Sequence, residues 1–155
     1  MSDKAAGKVE LATATLGEGF NCSQAVLSAW APDLGLDHET ALRVASAFGG
    51  GVARKGQICG AVSGALMVLG LKYSQIRAND KQAKEEMYAL AGEFMKRFEA
   101  RHGSTLCREL LGYDISTPEG MQLIREKGLF TALCPKLVAD AIEIVEQFAQ
   151  KNHYV

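Results

Sequence analysis

Along most of the chain apolar residues return every three or four positions, the spacing of one face of an α-helix, and the period-two alternation of a strand is essentially absent. Met87, Leu90, Ala91, Phe94, Met95 and Phe98 form one apolar stripe, with Lys84, Glu85, Glu86, Glu93, Lys96, Arg97 and Glu99 on most of the opposite side. This predicts a long amphipathic helix over about residues 80–101, stopped by Gly103. A second stripe of Val138, Ala141, Ile142, Val145 and Phe148 follows Pro135, a residue suited to a first helical turn. Between the two, Thr117 reads as a cap, Pro118 as the first helical residue and Gly128 as a stop. Asp37 is expected to cap a helix carrying Ala41, Leu42, Val44, Ala45 and Phe48 and ending at Gly49-Gly50-Gly51. Further helices are expected near residues 4–16, 21–31 and 58–71.

The last of these has an unusual composition. Gly60 and Gly64 lie one turn apart with Ala61 and Ala65 beside them. Small residues on one face let another backbone approach closely, which suits a helix crossed by others. The expected fold class is therefore all-α, a compact multi-helix bundle around this central Gly/Ala-rich helix. Connections are short and no linker or repeat divides the chain, so residues 1–155 are expected to form a single domain.

Charge and length remove several function classes. Seventeen basic side chains stand against eighteen acidic ones, so no broad basic face is expected to meet nucleic acid or anionic lipid. The longest apolar stretch, residues 58–71, is shorter than the ~20 residues a membrane span needs. Met1-Ser2-Asp3-Lys4 opens on polar sequence without a signal-peptide core, so a cytoplasmic location is expected. In such a compartment the four cysteines, Cys22, Cys59, Cys107 and Cys134, are not expected as structural disulfides. Metal, cluster or redox chemistry is one explanation for them; service as small buried apolar residues is the other.

Their positions favour chemistry. Asn21 reads as an N-cap with Gln24 at the capping-box position, which places Cys22 in a first turn. Cys59 opens a helix after the glycine-rich segment 49–56. Ser104 or Thr105 is expected to cap the short helix of Cys107, and Cys134, held out of helical geometry by Pro135, to act as an N-cap itself. Packing cysteines fall anywhere along a buried stripe, whereas all four here fall at helix N-termini. There the free amides and the positive end of the helix dipole favour an anion, so lowered thiol pKa values are expected. No Cys-x-x-Cys occurs, which argues against a thioredoxin-type dithiol or a zinc ribbon, and no Cys-x-x-Cys-His supports covalent haem. Residues 51–57 lack the Gly-Lys-Ser/Thr ending of a phosphate loop.

The four blocks, in order, carry a resemblance. Gly19-Phe20-Asn21-Cys22-Ser23-Gln24-Ala25, Cys59-Gly60-Ala61-Val62-Ser63-Gly64, Cys107-Arg108-Glu109-Leu110-Leu111-Gly112 and Cys134-Pro135 resemble the redox-active protein family named for the signature C_GCAxxG_C_C. The second block reads C-G-A-x-x-G, its first letters in the other order from the family name. The similarity runs over about residues 17–148, and the same module is similar to the iron–sulfur region of split-Soret cytochromes. The resemblance implies a helical fold and a cluster or redox role for Cys22, Cys59, Cys107 and Cys134.

Three functions are open at this point: electron transfer through an iron–sulfur cluster, [2Fe–2S] first; thiol–disulfide exchange by the cysteines themselves; and a binding module in which zinc or iron is structural. The partner expected for the first is another redox protein, and a homodimer is compatible with the sequence. Arg54 and Lys55 are candidates to stabilise a thiolate or an anionic cluster, against a solvated loop. His102 is weighed as ligand or proton donor against a helix-end surface residue, and His38 and His153 are expected at the surface. Trp30 and Tyr113 are expected to pack.

Overall fold

The computed structural model describes residues 1–151, which leaves His153 outside the described residues. The chain is all-α: α1 Asp3–Gly17, α2 Cys22–Trp30, α3 His38–Val44, α4 Gly60–Tyr73, α5 Lys81–His102, α6 Cys107–Leu111, α7 Pro118–Glu126, α8 Leu129–Ala132 and α9 Cys134–Lys151. Short 3-10 turns at Ala31–Leu34 and Ser46–Phe48 follow α2 and α3. Among the described residues no strand forms, and no helix is long and apolar enough to cross a membrane.

Local chemistry accounts for most boundaries. Ser2, Asp37, Asp80 and Thr117 each accept a backbone N–H from the first turn of the helix that follows. Gly103, in left-handed conformation, closes α5 as expected. The helix expected from Asp37 to Phe48 is broken in two, because α3 ends at Val44 and the chain tightens into the 3-10 turn before Gly49.

α4 is apolar almost all round, the pattern of a helix buried on every side, and it packs against α2, α5 and α9. Trp30, Phe94, Phe98 and Phe148 are the largest fully buried side chains of the core that these helices enclose. Each such residue contributes up to ~3 kcal/mol of burial. Cys107, Leu111, Ile115 and Ile124 make a second, smaller apolar cluster under α6 and α7.

The glycines of α4 fix its distance from α2. A Cβ at Gly64 would lie 2.8 Å from the Ser23 carbonyl oxygen and 3.0 Å from the Val26 Cβ. One at Gly60 would lie 3.0 Å from the Ser23 nitrogen and 3.2 Å from the Cys22 Cβ. The two helices touch backbone to backbone, and that contact brings the start of α2 beside the start of α4.

Candidate functional site

Cys22 is the first residue of α2, and the capping box is complete: the Asn21 side chain accepts the Gln24 N–H, and Gln24 accepts the Asn21 N–H, both at 2.9 Å. The same two side chains reach further, donating to the carbonyls of Ser46 and Leu42 at 3.1 and 2.9 Å. They tie the α2 start to the end of α3 and the turn after it. A Cβ on Gly49 would fall 2.6 Å from that of Asn21, so the chain turns there against the cap itself.

The segment that follows is the most strained in the described chain. Gly50, Gly51, Val52, Ala53 and Arg54 all have positive φ, between 49° and 71°. Hydrogen bonds from the Ala53 N–H to the Ala47 carbonyl, from Arg54 to Gly49 and from Gly56 to Gly50 close the turn at 2.9–3.1 Å. Left-handed geometry costs a residue with a Cβ roughly 1–2 kcal/mol, and a β-branched residue such as Val52 is a marked outlier there. Glycine-rich sequence hinted at a turn; nothing local announced three successive non-glycine residues in this conformation.

Beyond the turn the chain is strapped to the segment before α6. Ile58 and Leu106 form an isolated antiparallel bridge. The Cys59 N–H donates to the Thr105 carbonyl at 2.8 Å and the Cys107 N–H to that of Gln57 at 2.7 Å. The Arg108 guanidinium donates to the carbonyls of Gly56 and Lys55 at 3.2 and 2.9 Å. Cys59 is the N-cap of α4 and Cys107 the first residue of α6, so the strap sets these two cysteines beside each other. The cap of α6 differs from expectation. Leu106 occupies it without a side-chain bond, because the bridge to Ile58 holds the backbone extended, and Ser104 instead accepts the Leu106 N–H and donates to Glu109.

Cys134 also differs. Rather than standing outside the helix as its N-cap, it is the first residue of α9, since α8 runs almost directly into α9 through Leu133, itself in helical geometry. Pro135 in the next position forfeits only an N–H that has no intrahelical acceptor.

All four cysteines line one cavity of about 750 Å³. None is in a disulfide; Cys59 and Cys107 are buried, Cys22 and Cys134 half-buried. Cys22 and Cys134 act chiefly on each other, which pushes Cys22 well above the ordinary thiol range and draws Cys134 below it. Burial and the other three sulfurs push Cys22 up further. Burial raises Cys59 to about 11. The amides of Ala61 and Val62 act in the opposite sense, though neither closes a capping hydrogen bond to it. Burial raises Cys107 to about 12, with the Cys59 and Cys134 sulfurs adding to the effect. A lowered pKa is thus found only at Cys134, and there it comes from Cys22 rather than from the helix end. At Cys59 and Cys107 desolvation outweighs the helix dipole, and at Cys22 the Cys134 sulfur and then desolvation do so.

The remaining candidates separate cleanly. Arg54 and Lys55 are both exposed; Arg54 lines the cavity, whereas Lys55 lies outside its lining and contributes only a carbonyl to Arg108. His102 lies elsewhere, against the Phe98 ring and 2.9 Å from Asp140 Oδ2 outside hydrogen-bond geometry. His38 is exposed at the start of α3, Trp30 is buried in the core and Tyr113 packs on the second cluster.

The profile of the family described as "Putative redox-active protein (C_GCAxxG_C_C)" matches residues 20–148. The chain belongs to this family. Among curated proteins and among solved structures, none matches the chain. The four cysteines of the C_GCAxxG_C_C signature are the four that line the cavity. Its glycine positions, Gly60 and Gly64, are the two that admit the α2 backbone.

The donor set is chemically uniform: no carboxylate or imidazole lines the cavity. Among the described residues no three Cys, His, Asp or Glu side chains gather closely enough to hold a metal ion.

Proposed function

We propose that the chain is an electron-transfer protein that holds an iron–sulfur cluster, [2Fe–2S], on the thiolates of Cys22, Cys59, Cys107 and Cys134. The observation that carries this reading is that four cysteines from four separate helix starts line one cavity. A bound cluster supplies a one-electron couple at the four sulfurs. The chain's own part is to fix the donors and shelter them. The strap between residues 56–59 and 105–108 orients Cys59 and Cys107, the capping box orients Cys22, and the run from α8 into α9 presents Cys134. Burial of Cys59 and Cys107 keeps water from half of the ligand set. Thiols must lose their protons on loading, so assembly releases protons and is favoured by rising pH.

Anaerobic iron–sulfide reconstitution is expected to give a red-brown protein whose visible bands bleach on reduction. Serine at any one of Cys22, Cys59, Cys107 or Cys134 should weaken or abolish those bands. A colourless protein with stoichiometric zinc, or four serine variants that all keep their colour, would overturn the assignment.

A second reading has one observation in its favour. Cys22 and Cys134 are free, half-buried thiols of one cavity whose pKa values are moved in opposite directions by each other, the kind of pair from which a dithiol exchanges with a disulfide. In that case the Cys22→Ser and Cys134→Ser variants alone lose thiol–disulfide exchange, with or without iron.

A further inference from the structure

We propose that the cavity beside the thiols binds a small organic anion, an apolar body carrying one carboxylate, with the Arg54 guanidinium as its anchor. At about 750 Å³ the cavity lies within the range of small-molecule sites. Away from the sulfurs its walls are largely apolar, with Leu16, Phe20, Leu110, Ile115 and Phe130 among them. Arg54 is the one charged side chain in that lining, and its guanidinium has no ion-pair or hydrogen-bond partner among the described residues. Apolar walls with a single cation select an apolar molecule with a single negative charge, and the planar guanidinium fork matches a carboxylate.

The backbone supplies a third, independent observation. Val52, Ala53 and Arg54 are held left-handed at φ 64°, 49° and 59°. A solvated arginine needs no such geometry. Strain of this kind persists where the fold holds a side chain against local preference for a purpose. Here the Arg54 side chain rises from a turn braced on Gly50, whose missing Cβ would meet the Arg54 Cγ at 2.8 Å. The inference names a ligand for the proposed cluster cavity. It rests on that reading only for any redox role of the ligand, since the anchor is present without iron.

The test is titration of isotope-labelled full-length protein with benzoate and hexanoate, against benzyl alcohol as the uncharged counterpart, read by amide shifts at Gly50, Leu110 and Phe130. A carboxylate should bind at least tenfold more tightly than the alcohol, and Arg54→Gln should remove at least tenfold of that affinity. Arg54→Gly is the second variant. Glycine accepts a positive φ, so the denaturation midpoint should not fall while binding is lost. Arg54→Lys, which keeps the charge without the fork, should recover part of the affinity. Equal binding of benzoate and benzyl alcohol, undiminished affinity in both Arg54→Gln and Arg54→Gly, or no shift at the cavity with either carboxylate overturns the proposal. Colour after reconstitution is scored separately. A colourless protein that binds benzoate through Arg54 sinks the cluster and leaves the anion site standing, and a coloured protein indifferent to both carboxylates does the reverse.

Discussion

A cysteine at the start of a helix has two opposing influences on its proton, and in this chain burial decides the outcome at Cys59 and Cys107, while Cys22 and Cys134 chiefly set each other's. Cys59 illustrates the balance, with two amides facing its sulfur and its pKa still displaced from 9.0 to about 11. That displacement corresponds to roughly 3 kcal/mol favouring the neutral thiol in the folded state. The unfolded chain ionises first as pH rises, because its thiols titrate near 8.5. Above that value the unfolded state binds fewer protons than the folded one, and stability falls with pH. Chemical denaturation of the metal-free protein should therefore show full stability below about pH 8.5 and a progressive loss up to about 11 and 12, the folded values of Cys59 and Cys107. Iodoacetamide near pH 8 should label Cys134 first and Cys107 and Cys59 last. Uniform labelling of the four, or a flat stability profile to pH 11, would show that the thiols are more exposed than their surroundings imply.

At the scale of elements, the crossing of α2 and α4 does most to place the site, and it depends on missing side chains. Leucine at Gly64 must push the Ser23 carbonyl and Val26 aside, since even a methyl carbon would fall at 2.8 and 3.0 Å. Gly64→Leu should lower stability by ~1–3 kcal/mol through overpacking, measured as the denaturation midpoint; no change there would mean that this face does not carry the contact. The small-residue pattern of α4 was readable in sequence because it is local, as were the Asn21–Gln24 capping box, the Asp37 and Thr117 caps and the span of α5. Features that depend on distant partners were not. Leu106 caps α6 because Ile58 pairs with it across the structure, and Cys134 starts α9 because α8 abuts it. The left-handed run at residues 50–54 is likewise held by hydrogen bonds and by the strap, with no preference of Val52 or Ala53 to announce it. The placement of all four thiols at helix starts was legible, whereas the raised pKa values of Cys22, Cys59 and Cys107 were not, because desolvation and the meeting of the sulfurs are properties of the assembled core.

For the molecule as a whole, the four cavity-lining cysteines link an early part of the core to its end. α2 and α9, which carry Cys22 and Cys134, also pack on each other and on α4. A group that bridges their sulfurs would act as a crosslink between helices at opposite ends of the sequence. Loading the site should raise the thermal midpoint by several degrees and slow amide exchange at the starts of α2 and α9. Equal midpoints with and without bound iron would argue that the four thiols are not joined through it.

The order of the four cysteines along the chain also sets when the cavity can exist. Three of its sulfurs precede α9 in the chain, but the wall that Cys134 and Leu137 supply arrives only with α9. A truncated or stalled product therefore lacks the complete set of four thiols, and damage that unseats α9 disperses it again. If the proposed cluster binds there, possession of the fourth thiol becomes a report on whether synthesis and folding have finished, and any machinery that fills the site reads that report at no extra cost.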